Sequence, residues 1–172
     1  MKKGTIIYLN GVTSSGKSSI AEALRQNPEF DFYYLSDDLF EDHIVNTPDY
    51  GADGYWEKLA EAVFMMYRTA VLFSNHGKTV VIDSMLLESP AFTPHYQRIL
   101  EIFRDNPLKV VHVYCPLEIC RQRNLLRGDR HKNQSQEQAE IMAKNVRYDL
   151  QLDTSSLSPA QCAEKIIALC TL

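Results

Sequence analysis

The segment Gly11-Val12-Thr13-Ser14-Ser15-Gly16-Lys17-Ser18 constrains this chain more than any other, because it fits the spacing GxxxxGK[ST] and joins two different periodicities. Before it, Thr5 to Leu9 is an apolar run of strand length. After it, Lys17 to Gln26 carries a helical pattern. A strand that turns through glycines into a helix aims successive backbone N–H groups, and the positive end of the helix dipole, at one place. That place suits a chain of phosphates. The loop from Gly11 through Val12, Thr13, Ser14, Ser15 and Gly16 to Lys17, Ser18 and Ser19 is therefore the expected nucleotide-binding segment. Lys17 is expected to reach the outer phosphates, and Ser18 to place its hydroxyl on Mg2+. The competing reading is a glycine turn with a surface lysine, and the strand-helix setting weighs against it.

Four more apolar runs have strand length: Phe32 to Leu35, Thr79 to Ile82, Val110 to Tyr114 and Tyr148 to Leu152. Between them lie helical patterns at Tyr55 to Asn75, Thr93 to Arg104, Leu117 to Leu126, Gln134 to Asn145 and Pro159 to Leu169. Alternating strands and helices, with strands apolar throughout, predict an α/β fold: a parallel sheet with helices on both faces. Asn75-His76-Gly77 supplies a helix stop, and Ser158-Pro159 supplies a cap followed by proline at the first helical position. Asp42 to Gly54, with Pro48, Gly51 and Gly54, reads as a loop beside the site. At 172 residues, with no linker or repeat, the chain is expected to form a single domain, 1–172.

In an open parallel sheet the ligand crevice lies beyond the carboxyl ends of the strands, which makes carboxylates there informative. Ser36-Asp37-Asp38 follows the second strand, so Asp37 or Asp38 can take a proton from an acceptor hydroxyl, or else cap the next helix. Asp83 ends the third strand and suits the surroundings of a magnesium ion. Arg121, Arg123, Arg127 and Arg130 cluster near Gly128. Arg121 reads as a solvated helix end. Arg127 and Arg130 read as lid residues whose planar forks bond phosphate. Trp56, Tyr50, Tyr55 and Phe92 either line an acceptor pocket or belong to the core.

A net charge of -4 gives no general attraction to a phosphate backbone, so nucleic acid is not an expected partner. The opening apolar run is too short for a membrane span or a secretion signal. Cys115, Cys120, Cys162 and Cys170 have no metal-site spacing and read as reduced, mostly buried thiols of a cytoplasmic protein.

On these residues the chain resembles the chloramphenicol phosphotransferase-like P-loop kinases. The likeness rests on Ile7 to Ser19, Ser36 to Leu39, Val81-Ile82-Asp83, Cys115 to Arg130, and the run from Val146 to Ala163. It implies a five-stranded parallel sheet, ATP and Mg2+ as the donor system, Asp37 as the base acting on the acceptor hydroxyl, and Arg127 to Arg130 as part of the nucleotide lid. Lys17, Asp37 and Arg130 are then the expected catalytic groups, Ser18 and Asp83 the metal ligands, and Asp37, Asp38, Tyr55 and Trp56 the acceptor contacts. Ser84 stands where the family usually has a second aspartate, and Ala143-Lys144 where it has valine and histidine. The expected acceptor is the hydroxyl of a small molecule, with a chloramphenicol-type antibiotic, a nucleoside, a nucleotide and a sugar nucleotide as alternatives. A GTP-driven switch needs DxxG after the third strand and [NT]KxD, and the chain has neither.

Overall fold

Strand β1, Ile6–Asn10, is buried along its whole length, which only a central strand covered on both faces tolerates. In this computed structural model, which describes residues 2–128 and 132–171, β1 sits in the middle of a five-stranded sheet of order β2-β3-β1-β4-β5. All four pairings are parallel. The other strands are β2 Tyr33–Ser36, β3 Val80–Ser84, β4 Leu108–Tyr114 and β5 Leu150–Asp153. Each lies within two residues of the run that predicted it.

Period-two alternation sorts the strand side chains into two layers. Ile6, Tyr8, Val80 and Ile82 face a core closed by α3, Tyr55–Asn75, and α4, His95–Ile102. Ile7, Leu9, Val81, Val111 and Val113 face a second core under α1, Lys17–Arg25, and α7, Pro159–Thr171. Beyond the sheet's carboxyl edge come α5, Leu117–Arg127, and α6, Gln134–Ile141.

Helix ends follow local chemistry. Helix α3 stops where Gly77 takes a φ of 75°, with Gly77 N–H donating to Ser74 O and Lys78 N–H to Phe73 O, the paired bonds of a glycine-terminated helix. At the start of α7, Ser158 and Gln161 bond each other's backbone N–H groups reciprocally.

Three expectations are corrected. The short helix α2, Asp37–Leu39, continued by a π-helical turn Phe40–Ile44, is capped by neither aspartate: Ser36 Oγ accepts from Leu39 N–H at 3.2 Å. That turn also takes up Asp42 to Ile44, which were expected as loop. Helix α6 ends at Ile141 and not Asn145, because the following residues pair with the chain after β3. Met142 bridges Leu87, Ala143 N–H donates to Leu86 O at 2.7 Å, and Glu88 N–H donates to Ile141 O at 2.7 Å.

Cys115, Cys120 and Cys162 are buried free thiols, and Cys170 is half-buried. Among the described residues no helix is long and apolar enough to cross a membrane.

Candidate active site

The glycine loop leaves β1 at the carboxyl edge and enters α1. Gly11 passes so close to β4 that a Cβ there would stand 2.4 Å from the Val113 carbonyl oxygen, and Gly16 has a φ of 105°. Both positions therefore call for glycine. Ser14 also has a positive φ, 59°. Helix α1 has no acidic residue in its first turn, so its N-terminal dipole end is not offset there. Val12 and Ser15 turn their side chains into the protein. They can serve a phosphate only through their backbone, while Thr13, Ser14, Ser18 and Ser19 line the cavity.

That loop is gripped from elements far away in sequence. Arg123 on α5 donates to Ser14 O at 3.2 Å, Thr154 Oγ1 at 3.1 Å and Thr154 O at 3.0 Å. Thr154 Oγ1 donates to Ser15 O at 2.6 Å. From α6, Gln138 Oε1 accepts from Thr13 N–H at 2.6 Å and Ser135 Oγ donates to Thr13 O at 3.1 Å. Asn124 Nδ2 holds Ser135 Oγ at 2.8 Å. Of these side chains the sequence singled out only Arg123, as one of four arginines, with no role of its own. The available signals were that cluster and the Asp153-Thr154-Ser155 run within the family likeness.

Behind the loop, Asp83 is the next-to-last residue of β3. Its Oδ2 accepts from Ser18 Oγ and Tyr34 OH, each at 2.8 Å. Lys17 Nζ lies 3.7 Å from Asp83 Oδ1 and donates to Gly11 O at 2.7 Å and Val12 O at 3.1 Å. Magnesium takes oxygen ligands at about 2.0–2.1 Å in octahedral geometry, so neighbouring ligand oxygens stand about 3 Å apart. The Ser18 and Asp83 oxygens meet that spacing, and their chemistry fits the ion. The same contacts push the Tyr34 hydroxyl up beyond its usual range, through burial first and the Asp83 charge second.

Asp37 opens α2 at the carboxyl end of β2. Its Oδ2 accepts from Ser84 Oγ at 2.8 Å and from Met85 N–H at 3.3 Å. Its Oδ1 is enclosed and has no hydrogen-bond partner among the described residues. Burial pushes this carboxyl up to about 8, with the Asp83 charge adding to the rise and the Ser84 bond and Lys17 opposing it. Ser84 is itself the end of a buried chain. Leu87 N–H lies 2.9 Å from His95 Nδ1, with Leu87 O farther off at 3.2 Å. The shorter contact makes Nδ1 the acceptor and leaves Nε2 to donate to Tyr67 OH at 2.9 Å. Tyr67 OH then meets Tyr8 OH at 2.7 Å, and Tyr8 OH donates to Ser84 Oγ at 2.9 Å. Burial pushes His95 down to about 3, so the ring is neutral and the chain has one direction, toward Asp37.

Two cavities meet at this carboxylate. One, of about 540 Å³, runs along the glycine loop and includes Lys17, Ser18, Asp83, Arg123 and Arg127. The other, of about 420 Å³, is walled by Tyr50, Tyr55, Trp56, Leu59 and Phe92. Asp37, Asp38, Met85 and Gln138 belong to both. All four aromatic candidates thus reach the second cavity, although Phe92 and Tyr55 are also core residues. Arg121 pairs with Glu118 at 3.4 Å, away from both cavities. Arg130 lies outside the described residues, as do Asp129 and His131.

A glycine loop on the central strand of a β2-β3-β1-β4-β5 parallel sheet, with carboxylates at the ends of two neighbouring strands, defines the P-loop kinase fold. The chain belongs to the chloramphenicol phosphotransferase-like family, whose model matches residues 4–171. It is 25% identical to the bifunctional enzyme CysN/CysC of Rhodopirellula baltica over 99% of its own length, and spans 26% of that longer protein. It is 24% identical to Rv2636 of Mycobacterium tuberculosis, named for an O-phosphotransferase, covering 96% of this chain and 82% of the relative. The fold of the Mycobacterium tuberculosis APS kinase CysC, solved in complex with AMPPNP and APS, superposes with a TM-score of 0.74 at 19% identity, covering 100% of each chain. The chain is thus a member of a kinase-like phosphotransferase family.

Proposed function

We propose that this protein is an ATP-dependent kinase that transfers the γ-phosphoryl group to the hydroxyl of a small molecule. The observation that carries the reading is the position of Asp37 between the two cavities, with one oxygen held by Ser84 and Met85 and the other without a partner among the described residues. The glycine-loop N–H groups and Lys17 bind the donor phosphates, and Arg127, on the wall of the same cavity, adds its positive charge. Ser18 and Asp83 would hold Mg2+, which when bound supplies charge to offset that of the transferring phosphoryl group. Asp37, oriented through Ser84, takes the proton of an acceptor hydroxyl standing in the second cavity once its own carboxyl is ionised, so turnover rises as pH approaches and passes about 8. Phosphoryl transfer of this kind depends mostly on positioning and charge, and a base in hydrogen-bond reach contributes about 10²–10⁴-fold.

The test is turnover with Mg-ATP against hydroxyl-bearing antibiotics including chloramphenicol, nucleosides, nucleotides and sugars, repeated on two variants. Asp37→Asn is expected to lower turnover of the acceptor found by about 10²–10⁴-fold while nucleotide affinity stays nearly unchanged. Asp38→Asn is expected to do less. Full turnover in Asp37→Asn would remove the base from this position.

A further inference from the structure

We propose that Gln138 is a further catalytic residue: its side-chain amide donates a hydrogen bond to the phosphoryl group as that group passes between the two cavities. The inference rests on the phosphotransfer reading above and adds a residue to it. A phosphoryl group in transfer spreads negative charge over its three outer oxygens. At the junction of the cavities it meets Asp37, Asp38, Met85 and Gln138. Two of these are carboxylates and one is a thioether. Among these described residues only Gln138 carries side-chain N–H groups. Lys17, Arg123 and Arg127 line the glycine-loop cavity alone, and so act on the phosphates from the donor side.

The amide is held in one orientation. Thr13 N–H can only donate, and it meets Gln138 Oε1 at 2.6 Å, so the oxygen is the end turned to the loop and Nε2 the end turned away. Nε2 has no hydrogen-bond partner among the described residues, in a side chain that is half-buried. The helix that carries it is fixed independently. Ser135, three residues earlier and on the same face of α6, donates to Thr13 O at 3.1 Å, and the buried Asn124 Nδ2 holds that serine oxygen at 2.8 Å. Both backbone groups of Thr13 are therefore taken by α6. The Thr13 N–H polarises the Gln138 carbonyl, which strengthens the N–H groups at the far end of the same amide. In the transfer step the bond between phosphorus and the bridging oxygen of ATP breaks and leaves its electron pair on ADP, the acceptor oxygen bonds phosphorus, and the acceptor's proton goes to Asp37. Gln138 gives up no proton. It supplies a fixed dipole where charge develops, and removing one such donor costs about 10²–10³-fold in rate.

The full chain is titrated by calorimetry with Mg-ADP, without and with tetrafluoroaluminate, which stands in for the phosphoryl group in transit. Tetrafluoroaluminate is expected to tighten binding, and Gln138→Met to remove about 10- to 100-fold of that gain while the affinity for Mg-ADP alone changes far less. Gln138→Glu keeps an oxygen for Thr13 N–H but has no N–H to give, so it should lose the gain as well, and it serves where Gln138→Met fails to fold. Ser135→Ala removes the other bond from α6 to Thr13, and should shift both affinities together and preserve their ratio. No gain in the unaltered protein, or an unchanged gain in either Gln138 variant, would overturn the inference. So would an equal loss of the gain in Ser135→Ala, which is how a mere brace of the loop behaves. With an acceptor in hand, Gln138→Met should lower kcat by about 10²–10³-fold at nearly constant KM for ATP. Normal transfer in that variant would overturn the inference and leave the kinase reading intact. The expected binding ratios, with no transfer to any acceptor of the panel, would instead sink the kinase reading.

Discussion

A carboxyl group held near 8 inside a folded protein makes stability fall as pH rises, and Asp37 is such a group. Below about pH 4 the carboxyl is protonated in both folded and unfolded chains, and its contribution is fully present. Between there and 8 the unfolded chain releases this proton while the folded chain keeps it, so the contribution is progressively lost. Asp37→Asn keeps the shape without the proton. Its melting temperature is therefore expected to gain on that of the unaltered protein from pH 5 to pH 8 and to hold its lead above. Thermal scans across that range check it, and a constant gap would mean that Asp37 ionises normally. The placement of Lys17 and Ser18 beside the glycine loop was legible in the sequence because a spacing of eight residues in one segment encodes it. The environment of Asp37 was not. Ser84, Tyr8, Tyr67 and His95 come from four separate elements, and only the folded sheet lays them end to end.

The elements were legible where one periodicity ran uninterrupted, as in β1 and α3, and less so where tertiary pairing overrides it. The end of α6 is the clear case: helical spacing continues past Ile141, but bonds to Leu86 and Glu88 draw the chain into an extended bridge. Helices α5 and α6 also explain why the glycine loop needs more than its own sequence. Arg123 holds three oxygens on Ser14 and Thr154, and hydrogen bonds from a charged donor contribute about 1.5–3 kcal/mol. Arg123→Ala should accordingly weaken AMP-PNP binding by roughly 10- to 100-fold, measured by calorimetry on the folded variant. Arg121→Ala, on the same helix but outside both cavities, should leave it unchanged.

At the scale of the molecule, one sheet edge carries both cavities, so nucleotide binding should be felt as global stability. A ligand at 100 times its dissociation constant adds about 2.7 kcal/mol, which for a chain of this length raises the melting temperature by roughly 5–10 °C. AMP-PNP with Mg2+ should produce that rise, and Lys17→Ala should abolish most of it. A similar rise in the variant would place the nucleotide elsewhere. Strand number and strand-helix alternation could be read from sequence, whereas the meeting of the two cavities depends on strand order. The contact between Thr154 and the loop at Ser15 and Gly16 has a further meaning for how the protein is made. The hydroxyl that steadies the loop is translated some 140 residues after it. A nascent chain therefore carries the glycine loop without the grip that shapes it until β5 has been made and docks.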